Sequence, residues 1–211
     1  EEPDFVKVAQ IFSENGVSAP KILDKDNLSG YLLEQDLGDM TFLLRLANVK
    51  SREEEFELYK GCLEKLFQIH KIPCENYKNE RIFKRSFDYE KFMQEINFTH
   101  KFFLGQFMQV KNLEEKIERL NYCFSKICTK LSSHARVFTH RDFHSRNIMF
   151  KKGESFIIDF QDARLGLPHY DLCSLLEDCY YDLNETNREK LKSFYFENFY
   201  KPHFGKESDN F

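Results

Sequence analysis

A polar run, Thr139-His140-Arg141-Asp142-Phe143-His144-Ser145-Arg146-Asn147, sits between two short apolar pieces, and twelve residues beyond Asn147 the stretch Phe156-Ile157-Ile158 ends on Asp159-Phe160-Gln161-Asp162. The order is an acid, an asparagine after four intervening residues, and a second acid carried on the far strand of a turn. That order and spacing match the catalytic loop and following strand end used for phosphoryl transfer. The spacing has a physical reason. The first acid must accept a hydroxyl proton, while the asparagine, one loop turn away, and the second acid, delivered by a hairpin, converge on Mg²⁺ at the phosphates. Two other readings use the same residues. His140, Asp142 and His144 with Asp159 and His169 form a set that would ligate a divalent transition metal for hydrolysis, which leaves Asn147 and its spacing unused. A non-catalytic binding module is the other, and against it stands Asp142 itself, because a pure binder needs no base beside its metal ligands.

The elements that must position these groups are short. Val137 opens one strand, Ile148-Met149-Phe150 a second, and Phe156-Ile157-Ile158 a third after the turn Lys151-Lys152-Gly153-Glu154, so the two acids are expected at the ends of neighbouring strands. A helix is expected from about Asp171, carrying Leu172, Leu175 and Leu176, and another after the capping box Thr186-x-x-Glu189. Upstream, Phe5, Val8 or Ala9, and Phe12 predict a helix stopped by Gly16. Lys21-Ile22-Leu23 and Tyr31-Leu32-Leu33, separated by the turn-forming Asp24 to Gly30, predict a β-hairpin. About a hundred residues after Gly38 read as helical. One helix opens with the capping box Ser51-x-x-Glu54 and carries Phe56, Tyr59, Leu63, Leu66 and Phe67; the next carries Phe92, Ile96, Phe103 and Phe107, and a further one runs from Leu113 to Leu131. With 23 Phe and no Trp, this periodicity assigns the phenylalanines to core packing.

The 211 residues, 41% hydrophobic and 31% charged, suit a soluble globular protein of one domain or two small lobes. The net charge of −4, without a Lys/Arg run, argues against nucleic acid as a partner. No apolar stretch approaches the roughly 18 residues of a membrane span, and Glu1-Glu2-Pro3-Asp4-Phe5 lacks a signal-peptide pattern, so a cytoplasmic location is expected. Cys62, Cys74, Cys123, Cys128, Cys173 and Cys179 form no C-x-x-C pair and read mostly as reduced core residues. The sequons at Asn27, Asn97 and Asn184 read as chance occurrences. The 8 glycines stand singly, with no G-x-G, which excludes a Rossmann fingerprint, a Walker loop and a kinase glycine-rich loop within this chain.

The stretch THRDFHSRNIMF followed by IIDFQDARLGLPHYDLCSLLED resembles the aminoglycoside phosphotransferase and choline kinase family, whose members share the protein-kinase-like fold. Within it, the sequence is most similar to bacterial anomeric sugar kinases acting on N-acetylmuramate and N-acetylglucosamine. The resemblance covers nearly the whole chain and implies an α+β, two-lobe fold: residues 1–37 as the remainder of the N-lobe (helix C, hairpin and hinge) and 38–211 as a helical C-lobe. It implies Asp142 as catalytic base, Asn147 and Asp159 as Mg²⁺ ligands, and the backbone of Glu34, Gln35, Asp36 and Leu37 as the adenine-binding hinge, with ATP and Mg²⁺ as cofactors and a small-molecule acceptor, a sugar, as partner. Aminoglycoside or choline-type acceptors are the alternative within the family. The oligomeric state is not set by the sequence.

Small-molecule rather than protein phosphorylation follows from the twelve positions between Asp159 and Asp171, too few for a peptide-docking segment, from the missing Ala-Pro-Glu, and from Gln161 at the position of a kinase glycine. The 105 positions between Leu37 and Asp142 leave room for helices that wall the acceptor site. His144 is placed between acceptor contact and loop brace, Arg146 between a phosphate or substrate contact and a structural pair, and Asp162 with Arg164 between acceptor contact and solvated loop. His140 and Asp171 are expected as structural supports of the loop. In the family the phosphate-covering strands and their lysine precede helix C, so the missing G-x-G is expected from an N-terminal cut, and the chain alone is expected to bind ATP weakly and turn over little.

Overall fold

The structure, a computed structural model, describes residues 2–205. The second expected unit runs to residue 211, and its last six residues lie outside the described residues. Helix α1 (Asp4–Glu14) buries Val6, Val8, Ala9, Ile11 and Phe12 along one stripe and stops at Gly16, whose positive φ of 71° no side chain adopts easily. Strands β1 (Ile22–Asp26) and β2 (Tyr31–Glu34) pair antiparallel, with the first strand extending three residues further into the expected turn. Helix α2 (Phe42–Leu46) is capped by Thr41, whose hydroxyl accepts from Leu44 N.

Helix α3 (Arg52–His70) starts where the capping box predicts. Ser51 Oγ accepts from Glu54 N at 3.1 Å, but the Glu54 carboxylate reaches back to Lys50 N at 3.0 Å, one residue earlier than the motif requires. Helix α4 (Tyr89–Phe98) widens into π-helical turns over 99–107 and returns as α5 (Leu113–Ser132). Then come β3 (Val137–Thr139), β4 (Ile148–Lys151), β5 (Glu154–Ile157), β6 (Arg164–Gly166), α6 (Pro168–Leu176), α7 (Glu185–Tyr195) and, after π-helical turns at 196–200, the short α8 (Lys201–Phe204). Among the described residues the strands form three two-stranded antiparallel sheets, β1–β2, β3–β6 and β4–β5.

One core runs through α1, α3, the strands and α6–α7. It draws on Phe12, Tyr59, Leu63, Leu66, Phe83, Phe138, Phe143, Phe160, Leu175 and Tyr195, and contains no residue between Phe83 and Phe138. The α4–α5 hairpin therefore stands off it, held to itself by contacts such as Tyr89 Oη to Ser125 Oγ at 3.0 Å. This corrects the assignment of its phenylalanines to the core. Phe98 is 62% and Phe107 77% exposed, and Phe103 is also exposed, because only one side of this paired hairpin has a neighbour to pack against. Three further expectations are corrected. Cys123, Cys173 and Cys179 are exposed, while Cys62 and Cys128 are buried; all six are free. Helix α6 begins at Pro168, three residues before Asp171, because proline is suited to a first helical turn. Helix α7 is capped by Asn184, which accepts from Asn187 N, so the box at Thr186 lies inside the helix.

Two predictions follow from the packing. A Cβ on Gly166 would lie 2.7 Å from Thr139 Oγ1 and 3.2 Å from Phe87 Cδ2. Gly166→Ala should therefore destabilise the chain by about 1–3 kcal/mol in urea unfolding. His169, with its ring 5.2 Å from that of Tyr200, has its pKa pushed down to about 4 by burial, reinforced by the nearby His134 and His70. A histidine kept neutral by folding binds fewer protons than in the unfolded chain between roughly pH 6.5 and 4, so stability is lost as the pH falls through that window. The melting midpoint should drop across it, and His169→Gln should make the drop shallower.

Candidate active site

The polar loop leaves β3 at Thr139 and is fastened at once. Asp171, fully buried near the start of α6, accepts His140 N and Arg141 N, both at 2.8 Å, one on each carboxylate oxygen. The same carboxylate lies 3.2 Å from Nε2 of His70, the last residue of α3, whose Nδ1 is 2.7 Å from Tyr195 Oη. With the phenol donating to Nδ1, the ring donates from Nε2 to Asp171, so both ring nitrogens have a partner. Burial drives the Tyr195 phenol above its ordinary pKa, which keeps it a donor. His140 is likewise committed: Nε2 is 2.9 Å from Ile158 O and Nδ1 accepts Asp142 N at 3.2 Å. Burial holds its pKa below the usual histidine range.

Asn147 lies between the main chain of Asp142 and the carboxylate of Asp159. Asn147 Nδ2 donates to Asp142 O at 2.9 Å and lies 3.4 Å from Asp159 Oδ2, and Ile158 N donates to Asn147 O at 3.1 Å. The other Asp159 oxygen accepts Gln161 Nε2 at 2.8 Å. The two acids come from different sheets, not from neighbouring strands: Asp142 follows β3, paired with β6, and Asp159 follows β5, paired with β4. Asp159 has φ 63° and Arg141 φ 84°, left-handed values that non-glycine residues hold only where the surroundings fix them. The Asn147 amide nitrogen is the atom spent on hydrogen bonds, which leaves its side-chain oxygen, with the Asp159 carboxylate, as an oxygen donor. Hard oxygen donors of this kind suit Mg²⁺.

The other expected residues divide. His144 donates its backbone N–H to Asp142 O, sets its ring edge-on to Tyr180, and has Nδ1 buried without a partner. Arg146 is exposed, its guanidinium 4.9 Å over the Tyr180 ring. Asp162 is shared by Arg141 at 3.2 Å and Arg164 at 3.3 Å. Glu34 ends β2 and Gln35 to Leu37 follow it beside β4: Gln35 N donates to Lys21 O, Lys151 Nζ to Asp36 O, and Phe150 N to Met40 O. Burial raises the Glu34 pKa. The transition-metal reading is overturned. Both His140 nitrogens are taken, and among the described residues no group of three or more His, Cys, Asp or Glu is arranged to hold a metal.

Sequence reasoning missed His70, Asp178 and Tyr180. Asp178 accepts Ser145 N and Tyr180 N, each at 2.9 Å, tying the loop to the end of α6. A signal for His70 exists: it continues the buried stripe Leu63, Leu66 and so sits where a polar side chain must find a partner. Asp171→Ala would strand two buried N–H groups and His70, and should lower the unfolding free energy by about 3–5 kcal/mol while speeding amide exchange at His140 and Arg141.

Comparison with known proteins places this geometry in context. A family model described as "Phosphotransferase enzyme family" matches residues 1–203. The N-acetylmuramate/N-acetylglucosamine kinase of Neisseria meningitidis serogroup B is 27% identical over 181 residues, 86% of this chain and 52% of the relative. The protein of the same description from Pseudomonas aeruginosa is 30% identical over 180 residues, 83% and 49% respectively. The chain thus spans about half the length of the curated relatives it matches. Among solved structures, the streptomycin–ATP–APH(2")-IIa ternary complex superposes with a TM-score of 0.68 at 17% identity, over 97% of this chain and 69% of that one. Choline kinase LicA from Streptococcus pneumoniae gives 0.60 at 14% identity, over 91% and 60%. These similarities carry the protein-kinase-like α+β fold, and the match over residues 1–203 shows that the chain belongs to the phosphotransferase enzyme family.

Proposed function

We propose that this chain carries an ATP- and Mg²⁺-dependent site that transfers the γ-phosphoryl group to a hydroxyl of a small molecule, an amino sugar. The observation that carries the reading is the placement of Asn147 between the other two residues: its side-chain nitrogen donates to the main-chain oxygen of Asp142 and lies 3.4 Å from the Asp159 carboxylate. In this reading Asp142 accepts the acceptor's proton as its oxygen attacks, and its position is fixed by the Asp171-anchored backbone before it. Asn147 and Asp159 would hold Mg²⁺, which when bound neutralises charge on the phosphates. The backbone of Glu34 to Leu37 would face the adenine, with residues 1–37 as the nucleotide-side lobe. His140 and Asp171 act as supports; His144 and Arg146 stiffen the loop through Tyr180. Catalysis of this kind rests mainly on positioning and charge neutralisation. The amino-sugar acceptor is supported by the names of the two sequence relatives.

ADP release by the full-length protein, screened against N-acetyl amino sugars, streptomycin and choline, tests the reading. Release with an N-acetyl sugar is expected, and release with streptomycin or choline alone would overturn the acceptor assignment. Asp142→Ala should cut turnover by about 10²–10⁴-fold with nucleotide affinity nearly unchanged, whereas unchanged turnover would sink the role of Asp142.

A further inference from the structure

The outer end of the α4–α5 hairpin is built inside out. His100, in the π-helical turns, is 3% exposed, and neither of its ring nitrogens has a hydrogen-bond partner among the described residues; its ring lies 5.8 Å from that of Phe124 in α5. Phe98, Phe102, Phe103, Phe107 and Met108, on the same stretch, are exposed. In a regular α-helix positions 100, 103 and 107 share one face. The widened turns of 99–107 separate them, so that the imidazole stays in while Phe103 and Phe107 turn out and stack on each other at 5.8 Å. Burying an unpartnered imidazole and wetting four phenyl rings both cost folding free energy, which marks the rings as a surface meant to be covered.

The rings are also well placed to reach a partner. The base of the hairpin is tied to the body through Phe87 N to Leu165 O and Arg136 Nε to Phe87 O, so residues 98–113 form its free end. From Ile96 to Leu113 the only Lys, Arg, Asp or Glu are Lys101 and Lys111, and Lys101 Nζ lies 5.1 Å over the Phe102 ring. Glu114, Glu115 and Glu118 follow in α5 with Lys116 and Arg119; Glu114 and Glu115 stand in its first turn, where the helix N-terminus offsets them. Over 89–132 seven basic side chains stand against five acidic ones, a charge of +2 in a chain of −4, which leaves −6 on the remainder.

This composition selects among occupants. Phe and Met bring no hydrogen-bonding group, whereas protein interfaces are centred on Tyr, Trp and Arg. A second copy would set Lys101 and Lys111 against their own counterparts, with no acid between Ile96 and Leu113 to pair them. A lipid surface needs neither a polar handle nor a shaped counterpart: rings enter the acyl boundary and lysines stay at the headgroups. An anionic surface would in addition hold the basic hairpin toward itself and the acidic remainder away. We propose that the free end of the α4–α5 hairpin is a peripheral membrane-binding tip, inserting Phe98, Phe102, Phe103 and Phe107 into an anionic bilayer surface with Lys101 and Lys111 at its headgroups.

Sedimentation of the full-length protein with sucrose-loaded vesicles reads the tip without requiring turnover. The protein should pellet with phosphatidylethanolamine–phosphatidylglycerol vesicles and roughly tenfold less with phosphatidylcholine vesicles, and added salt should weaken the first binding. Phe98→Ser with Phe107→Ser should weaken it by about tenfold or more; both side chains are exposed, so the melting midpoint should match the parent's. Lys101→Glu with Lys111→Glu, which keeps every ring, should remove the preference for the anionic vesicles. Amide exchange over 98–108 should slow when those vesicles are added. No pelleting with the anionic vesicles, equal pelleting with both kinds, binding that the phenylalanine variant retains, or exchange over 98–108 that vesicles leave unchanged would each overturn the proposal. So would self-association that the phenylalanine variant abolishes in a protein that does not bind vesicles, which would make a second copy the occupant.

Discussion

The Asp171 carboxylate is the contact on which the rest of the site depends. It is fully buried, and a buried charge is tolerated only where donors surround it; here they are two backbone N–H groups of the loop and the ring of His70. Because the donors belong to consecutive residues, the carboxylate fixes the direction in which the chain leaves β3, and with it the left-handed turn at Arg141. His70 and Tyr195 extend the same network to α3 and α7. The loop is thereby braced from three helices, and its upper side is left for Asp142, Asn147 and Asp159.

Much of this was readable from the residues where the determining physics is local. The distance in sequence from Asn147 to Asp159 is set by a hairpin whose register, Ile148 opposite Ile157 and Lys151 opposite Glu154, follows from alternating side chains and a Lys-Gly turn. The start of α3 was legible for the same reason, since Ser51 needs only its own next three residues to cap it. What could not be read required a partner far along the chain. His70 meets Asp171 101 residues away; its place on a buried stripe says that it needs a partner, and no local pattern says which.

The phenylalanines of α4 illustrate a different limit. Periodicity establishes that Phe92, Ile96 and Phe103 recur at helical spacing; it says nothing about what lies opposite them. The core closes between Phe83 and Phe138, so the hairpin has its own partner helix and little else, and the widened turns at 99–107 carry several aromatic rings outward. Burial is a property of the assembled neighbourhood, and a stripe of apolar residues is necessary for it without being sufficient. The strand β6 escaped notice for a related reason: Arg164-Leu165-Gly166 is too short to show alternation and exists because β3 lies beside it.

The span of the anchoring network also bears on how the molecule is assembled in time. Asp171 joins His140 across 31 residues and His70 across 101, while His70 joins Tyr195 across 125. None of these closures is supplied by a hairpin or a single helix, and each must be preceded by the loss of loop entropy. The polar loop therefore acquires its shape only when α3, α6 and α7 have already come together. A partly folded chain would possess most of its helices and still have no site, which makes loop order an indicator of completed folding.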